Sequence, residues 1–280
     1  MTEGRKLLKC SICINDERVT RILIIDGKPI CKECKAYLEH PPNKEKIREE
    51  LEEILRKVDK AIVAYSGGKD STVALYLAKV KYGIDVEAVM VDHGFMASQA
   101  IENAKRIAEH LNVPLTIIKK DYSDIFREAL LKAKSPCRKC SKRTMEILRK
   151  YAIEHGYRYI ITGHELPFGH HPYRIMSGGV LQIRMLSMMS EEERLSILRE
   201  LPFEFPELPG YTTNCLILGP ALERYWEKHG YSFEHRRIAA LVRYGLMSKE
   251  KALRKVEKPK VPEWQWRLVQ EKLGIMIKPL

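Results

Sequence analysis

The stretch AIVAYSGGKDSTVALYLAK, residues 61 to 79, constrains this chain more than any other. Ala61 to Tyr65 form a short apolar run, the pattern of a parallel strand buried on both faces. Ser66-Gly67-Gly68 then turn the chain, and a helix follows with Asp70 and Ser71 in its first turn. Adjacent glycines let the backbone approach a ligand closely and take positive φ. The unpaired N–H groups of the helix start, with the Lys69 ammonium beside them, make an anion cradle. Strand, Gly-rich turn and helix together predict a phosphate site on an α/β fold with a parallel sheet and helices on both faces.

The glycines are adjacent, so this is not the Walker pattern, which sets four residues between them. The stretch resembles the PP-loop, SGGxDS, of the N-type ATP pyrophosphatase superfamily, whose fold is adenine nucleotide alpha hydrolase-like. Those enzymes split ATP between the α- and β-phosphates and adenylate a substrate oxygen. The resemblance implies ATP and Mg²⁺ as ligands. Ser66, Gly67, Gly68 and Ser71 would hold pyrophosphate oxygens, Ala64 would be a further ATP contact, Lys69 would neutralise charge and Asp70 would help place Mg²⁺. Lys69 and Asp70 are thereby candidate catalytic residues.

Before this domain lie two C-x2-C pairs, Cys10/Cys13 and Cys31/Cys34, seventeen residues apart. Such knuckles supply four thiolates to one tetrahedral Zn²⁺. The gap reads as a hairpin through Asp26-Gly27. A closed four-cysteine site leaves no open position for chemistry, so its role is structural, and the metal supplies the folding energy of so small a zinc ribbon. Four unliganded buried thiols are the alternative.

Across 280 residues no run of about 18 apolar side chains occurs, so no helical membrane span is expected. MTEGRKLLKC lacks the apolar core of a secretory signal. A cytoplasmic protein follows, with reduced cysteines that serve metals rather than disulfides. The net charge of +12 favours a polyanion, nucleic acid or nucleotide. A solvated thermophile surface is the competing reading, since Lys, Arg and Glu abound while Gln occurs four times and Asn five.

In chain order, Pro41-Pro42-Asn43 breaks after the ribbon, and KEKIREELEEILRKV follows as an amphipathic helix that packs the ribbon's exit onto the main domain. Val86 to Val91 read as a second strand ending at Asp92-His93-Gly94. Open α/β sheets bind ligands at that edge, and Val91 and Asp92 are candidate nucleotide contacts by the same resemblance; His93 reads as a packing histidine. A helix over 98–111, the strand PLTIIKKDY and a helix over 123–134 come next, then helix 141–154 and the strand YRYIITGH, whose Gly163 and His164 suit the nucleotide pocket.

Pro136-Cys137-Arg138-Lys139-Cys140 opens helix 141–154. A helix start and flanking cations are expected to lower these thiol pKa values. By itself the pair is open to a redox, zinc or cluster role. After the ribbon, three cysteines remain, the third being Cys215. Two CxxC knuckles, a PP-loop, PCxxC and a later lone cysteine resemble the tRNA 2-thiouridine and 2-thiocytidine synthetases. In that family three cysteines bind a [4Fe-4S] cluster with one iron free of protein ligands. Carried over, the ligands are Cys137, Cys140 and Cys215, with Cys137 and Cys140 among the catalytic residues. The partners implied are tRNA and a sulfur donor, either a protein thiocarboxylate or sulfide.

Two features depart from that family. It continues the fourth strand as GHNxDDxAxT, whereas here GHELPFGHHPYRIMSGG leaves Glu165 as the nearby acid, and His170 and His171 read as loop residues. The family's C-terminal zinc knuckles are absent, and from about 186 a mostly helical tail carries the FEFPELPGY loop, Cys215 and helices near 219–228, 234–245 and 248–257. HRRIAALVRYGLMSKEKALRKVEK resembles the tail of PP-loop amidotransferases that modify sugars. Its basic residues read as RNA-binding or as a solvated face. Trp264 and Trp266 read as packing aromatics, or as an interface such as that of a homodimer.

The expected organisation is a zinc ribbon over 1–40, a linker helix over 41–60, a PP-loop domain over 61–185 and a helical region over 186–280. The expected activity is an ATP-dependent sulfurtransferase on RNA. The alternatives are an ammonia-using ligase for a sugar or other small molecule, a sulfonucleotide-handling enzyme of the reductase kind, and a non-catalytic RNA adaptor.

Overall fold

The computed structural model describes residues 7–205 and 214–277. Its centre is a six-stranded sheet. β1 (Ile22–Ile25) and β2 (Lys28–Cys31) form the separate N-terminal hairpin, turned by Asp26 and Gly27, both at positive φ. Helices α1 (Lys32–Glu39) and α2 (Lys44–Leu55) follow, the second capped by the Asn43 side chain. β3 (Lys60–Tyr65) enters the sheet and α3 (Lys69–Tyr76) leaves it, ending in a π-helical turn over Leu77–Lys81.

β4 (Asp85–Asp92), α4 (Ser98–His110), β5 (Leu115–Lys119) and α5 (Ser123–Lys132) wind the chain to one edge. α6 (Cys137–Glu154) then carries it back over the sheet to β6 (Tyr159–Thr162), on the other side of β3. β7 (Tyr173–Ile175) and β8 (Leu181–Arg184) extend this half, giving the order β5-β4-β3-β6-β8-β7. All neighbours are parallel except β7 on β8. The sequence reading held no strand over 173–184; these residues are short, half-polar and interrupted by Gly178-Gly179, so their pairing is set by β6 rather than by their own pattern.

Alternation along β3 divides the core. Ala61, Val63 and Tyr65 face a layer built on α2, α3, α4 and α7 (Glu191–Arg199). Ile62 and Ala64 face α5, α6, α8 (Leu218–His229) and α11 (Glu263–Leu273). Both faces of the sheet are thus covered, as a parallel sheet requires. The direction in which strands are added to the sheet reverses between β3 and β6, which opens a crevice at their carboxyl ends.

The hairpin module does not lean chiefly on α2. Its cysteines pack with Ile238, Ala239 and Leu241 of α9 (His235–Arg243) and with Ala252 of α10 (Lys249–Lys255). α9 and α10 meet at Gly245, which has φ +70°, and Ser248 caps α10. Several basic residues of this pair tie it to the hairpin module, while Arg254 and Lys258 stay exposed. Arg236 donates to the Val19 carbonyl and Lys249 to those of Cys10 and Ser11, while Arg243 Nε donates to Cys34 Sγ at 3.3 Å. No helix among the described residues is long and apolar enough to cross a membrane. Residues 206–211 of the FEFPELPGY loop lie outside the described residues.

Candidate active site

The turn after β3 is bound to itself before it binds anything else. Ser71 Oγ donates to the Gly68 carbonyl at 2.9 Å and meets the Ser66 backbone N–H and hydroxyl at 3.2 and 3.1 Å. Gly67 has φ +66°, and a Cβ there would sit 1.8 Å from the Ala100 carbonyl oxygen, so only glycine allows this packing of the turn on α4. Gly68 caps α3 without a side chain, leaving the first N–H groups of the helix open. Gly163, just past β6, comes equally close: a Cβ would lie 2.6 Å from the carbonyl group of Asp70.

These glycines open onto a cleft of about 860 Å³ lined by Ser66, Gly68, Lys69, Asp70 and Ser71 on one side. Ala64, Val91, His93, Gly163 and His164 line it as well, so most of the sequence-selected nucleotide residues meet here. Asp92 does not; its carboxylate accepts the Gly94 N–H in its own turn at 2.9 Å. His93 is buried against Tyr122 and Phe126, a packing residue with one edge on the cleft. His170 is exposed, and His171 meets Glu50 at 2.9 Å, outside the cleft.

Cys137, Cys140 and Cys215 line the same cleft. Cys137 begins α6, and Cys140 lies within that helix's first turn, four residues earlier than the sequence places the helix start. Cys215 is stitched to the loop after β4: it bridges Met96, Ala97 N–H donates to the Asn214 carbonyl, and Leu216 N–H donates to that of Phe95. Burial raises all three thiol pKa values, Cys140 to about 12 with repulsion from Cys215 added. The helix start and nearby cations do not lower them, because desolvation of a thiolate outweighs both. A thiol so placed is a poor free nucleophile and ionises when a cation shares its pocket.

Four acids and several cations complete the cleft. Asp70 Oδ1 lies 3.1 Å from Arg194 Nε, yet neither buried atom has a hydrogen-bond partner. Burial raises the Asp70 pKa in spite of Arg194 and Lys69. Glu165 is 9% exposed and pairs with Arg237 at 3.0 Å; burial would raise its pKa, but Arg237 holds it low. Arg237 also binds Glu234, at 2.7 Å, next to the cysteines. Glu191 receives Lys69, Lys251 and Lys255. His164 opens to the cleft, where desolvation and the Arg184 charge push it down to about 4 and keep it neutral at pH 7. Arg194, Glu191, Arg237 and Lys255 reach the cleft through tertiary packing, with Lys251 behind Glu191, and no local pattern in the sequence marks them.

Two sets of residues suit metals. Cys10, Cys13, Cys31 and Cys34 are buried, with ligand atoms all within 4.8 Å of one another. Cys13 and Cys31 sulfurs are 3.7 Å apart, close to the roughly 3.8 Å edge of a tetrahedron with metal–sulfur bonds near 2.3 Å. N–H groups of Asn15, Cys31 and Cys34 point at these sulfurs, and Arg243 adds a fourth donor from α9. Cys137, Cys140 and Cys215 line one cleft without forming such a close group. The Asp70 carboxylate, which lines the cleft beside Arg194, is of the oxygen-donor type that suits a cation such as Mg²⁺.

A parallel α/β sheet with an SGGKDS turn at its switch point makes this a PP-loop protein of the ATP pyrophosphatase type; residues 60–157, from β3 to the end of α6, match the family model of the Queuosine biosynthesis protein QueC. Within that superfamily the chain belongs to the same family as the uncharacterized protein MJ1599 of Methanocaldococcus jannaschii, with which it shares 48% identity over 91% of its own length and 95% of the relative's. The tRNA-5-methyluridine(54) 2-sulfurtransferase of Pyrococcus horikoshii is 28% identical over 57% of this chain and 51% of its own, so the chain spans about half the length of that relative. Among solved structures, the U34-tRNA thiolase NcsA of Methanococcus maripaludis, described with its [4Fe-4S] cluster, aligns over 88% of this chain and 87% of its own at 19% identity and a TM-score of 0.47.

Proposed function

We propose that this protein is an ATP-dependent transferase that adenylates a carbonyl oxygen of an RNA base and exchanges it for sulfur. The observation that carries the reading is that one cleft is lined by both the phosphate-binding turn and three cysteines left over from the ribbon. In this reading the α3 N-terminus and Lys69 hold the β- and γ-phosphates, and Asp70 holds Mg²⁺. The base oxygen attacks the α-phosphorus, the bond to the bridging oxygen breaks, and pyrophosphate leaves stabilised by the same N–H groups. Adenylation turns the carbonyl oxygen into a good leaving group. Sulfide, supplied free or released from a thiocarboxylate by hydrolysis of its acyl–sulfur bond to a carboxylate, then adds at the base carbon, and the C–O bond breaks to release AMP. A [4Fe-4S] cluster on Cys137, Cys140 and Cys215 would supply an iron without a protein ligand, on which sulfur can be carried. The four N-terminal cysteines would hold Zn²⁺ as structure.

Anaerobic reconstitution with iron and sulfide, followed by metal analysis of wild type and Cys215→Ala, tests the assignment. Iron should be lost from the variant while the ribbon metal stays. Nucleoside mass spectrometry of RNA incubated with ATP and sulfide then reads the activity; no sulfur in RNA under any donor would remove it. A second reading, ammonia transfer to a small molecule, is favoured by one feature: the single acid after β6, Glu165, is already neutralised by Arg237. ATP-dependent ammonia consumption without sulfur uptake would select it.

A further inference from the structure

The cations that reach the cleft from α7 and α10 face the phosphate-binding turn rather than the cysteines. Glu191, at the first turn of α7, has a side chain only 14% exposed and is met by Lys251 at 2.5 Å, Lys69 at 3.4 Å and Lys255 at 3.9 Å. One carboxylate among three ammonium groups leaves the cluster positive. Beside it, Arg194 is 5% exposed, and its Nε, unpaired in any hydrogen bond, lies 3.1 Å from Asp70. Its Nη1 donates to the Met189 carbonyl at 2.9 Å, so the guanidinium is fixed beside the Asp70 carboxylate. Lys69 and Asp70 open α3, so Glu191, Arg194 and Lys255 line the cleft beside the α3 N-terminus, and Lys251 backs Glu191.

We propose that Arg194 and Lys255, with Lys251 behind them on Glu191, form a second phosphate-binding wall beside the PP-loop, which takes the pyrophosphate portion of the nucleotide, with Glu191 holding the lysines in place until it arrives. This rests on the reading of the cleft as an ATP site and adds the residues that select a chain of phosphates over a single one. The α-phosphate and base moiety have no part in this wall, so it distinguishes ATP and pyrophosphate from AMP. The lowered pKa of Lys255, from burial and the nearby Lys69, fits a site short of anions.

The experiment is calorimetric titration of the full-length protein with Mg²⁺-pyrophosphate and, separately, with AMP. Lys251→Met and Lys255→Met should each weaken pyrophosphate binding about tenfold, the loss of one charge-assisted contact, and leave AMP affinity unchanged. Lys255→Arg should restore most of it, and it keeps the test readable where the methionine variant fails to fold. Glu191→Gln, which frees three ammonium groups, should tighten pyrophosphate at low salt. Wild-type binding with unchanged affinity in both methionine variants would overturn the second wall. Failure of the wild type to bind either pyrophosphate or ATP would instead overturn the nucleotide reading on which it rests.

Discussion

Arg237 lies 3.0 Å from Glu165 and so joins α9 to the turn that follows β6. Glu165 is 9% exposed, and a buried carboxylate that loses its partner keeps its desolvation cost. Arg237→Met should therefore lower stability by about 2 kcal/mol, read from urea unfolding. Arg237→Met with Glu165→Gln should recover much of that loss; if the two effects simply add, the pair is not coupled.

Glu191 gives the clearest pH dependence. Burial would raise its pKa, but Lys251, Lys255 and Lys69 outweigh burial and hold it at about 2, against 4.5 for a free side chain. A depressed carboxylate adds stability that is complete above the unfolded pKa and is lost as pH falls toward the folded one. Between about pH 4.5 and pH 2 the wild type should lose roughly 3 kcal/mol more than Glu191→Gln. Parallel unfolding curves for the two proteins across that window would refute the assignment.

Gly163→Ala tests the close approach of β6 to α3. The added methyl meets the Asp70 carbonyl group at 2.6 Å, both partners are backbone, and neither side can rotate away. A cost of about 3 kcal/mol and loss of nucleotide binding are expected. A variant that binds ATP with unchanged affinity would show that the end of β6 and the start of α3 can separate freely.

How far this site was legible in the sequence depends on how local each feature is. Ser66 to Ser71 form a contiguous strand–turn–helix, so their chemistry appears in six letters. The four ribbon cysteines were equally plain, because pairwise spacing encodes a shared ion. Cys137, Cys140 and Cys215 could be grouped only by subtraction and resemblance, and their raised pKa values, opposite to the local expectation, come from packing. Arg237, Lys251 and Lys255 looked like surface charge because helical periodicity records only which face is apolar, not which cation bends into a distant cleft. β7 and β8 were missed for the same reason: an edge hairpin of half-polar residues acquires its conformation from its neighbour.

Arg243 predicts an effect at a distance from the cleft. Its guanidinium donates to Cys34 Sγ, and donors of this kind orient a metal's ligands. Arg243→Met should weaken metal retention at the four cysteines by roughly 10- to 100-fold in competition with a chelator. Because α9 and α10 rest on that module, metal removal should also weaken pyrophosphate binding; retention of full affinity in the chelated protein would separate the two ends.

The contact between the ribbon and these helices joins residues 10–34 to residues 235–255. Segments made early in synthesis therefore wait for segments made about two hundred residues later before either is fully covered. During translation at about 5–20 residues per second, the ribbon's apolar face stays open for on the order of ten seconds or more. Metal uptake can come first, since the four ligands are local. Assembly of Lys251 and Lys255 over the phosphate site has to come last, so a nascent PP-loop would hold its fold before it could grip a phosphate chain.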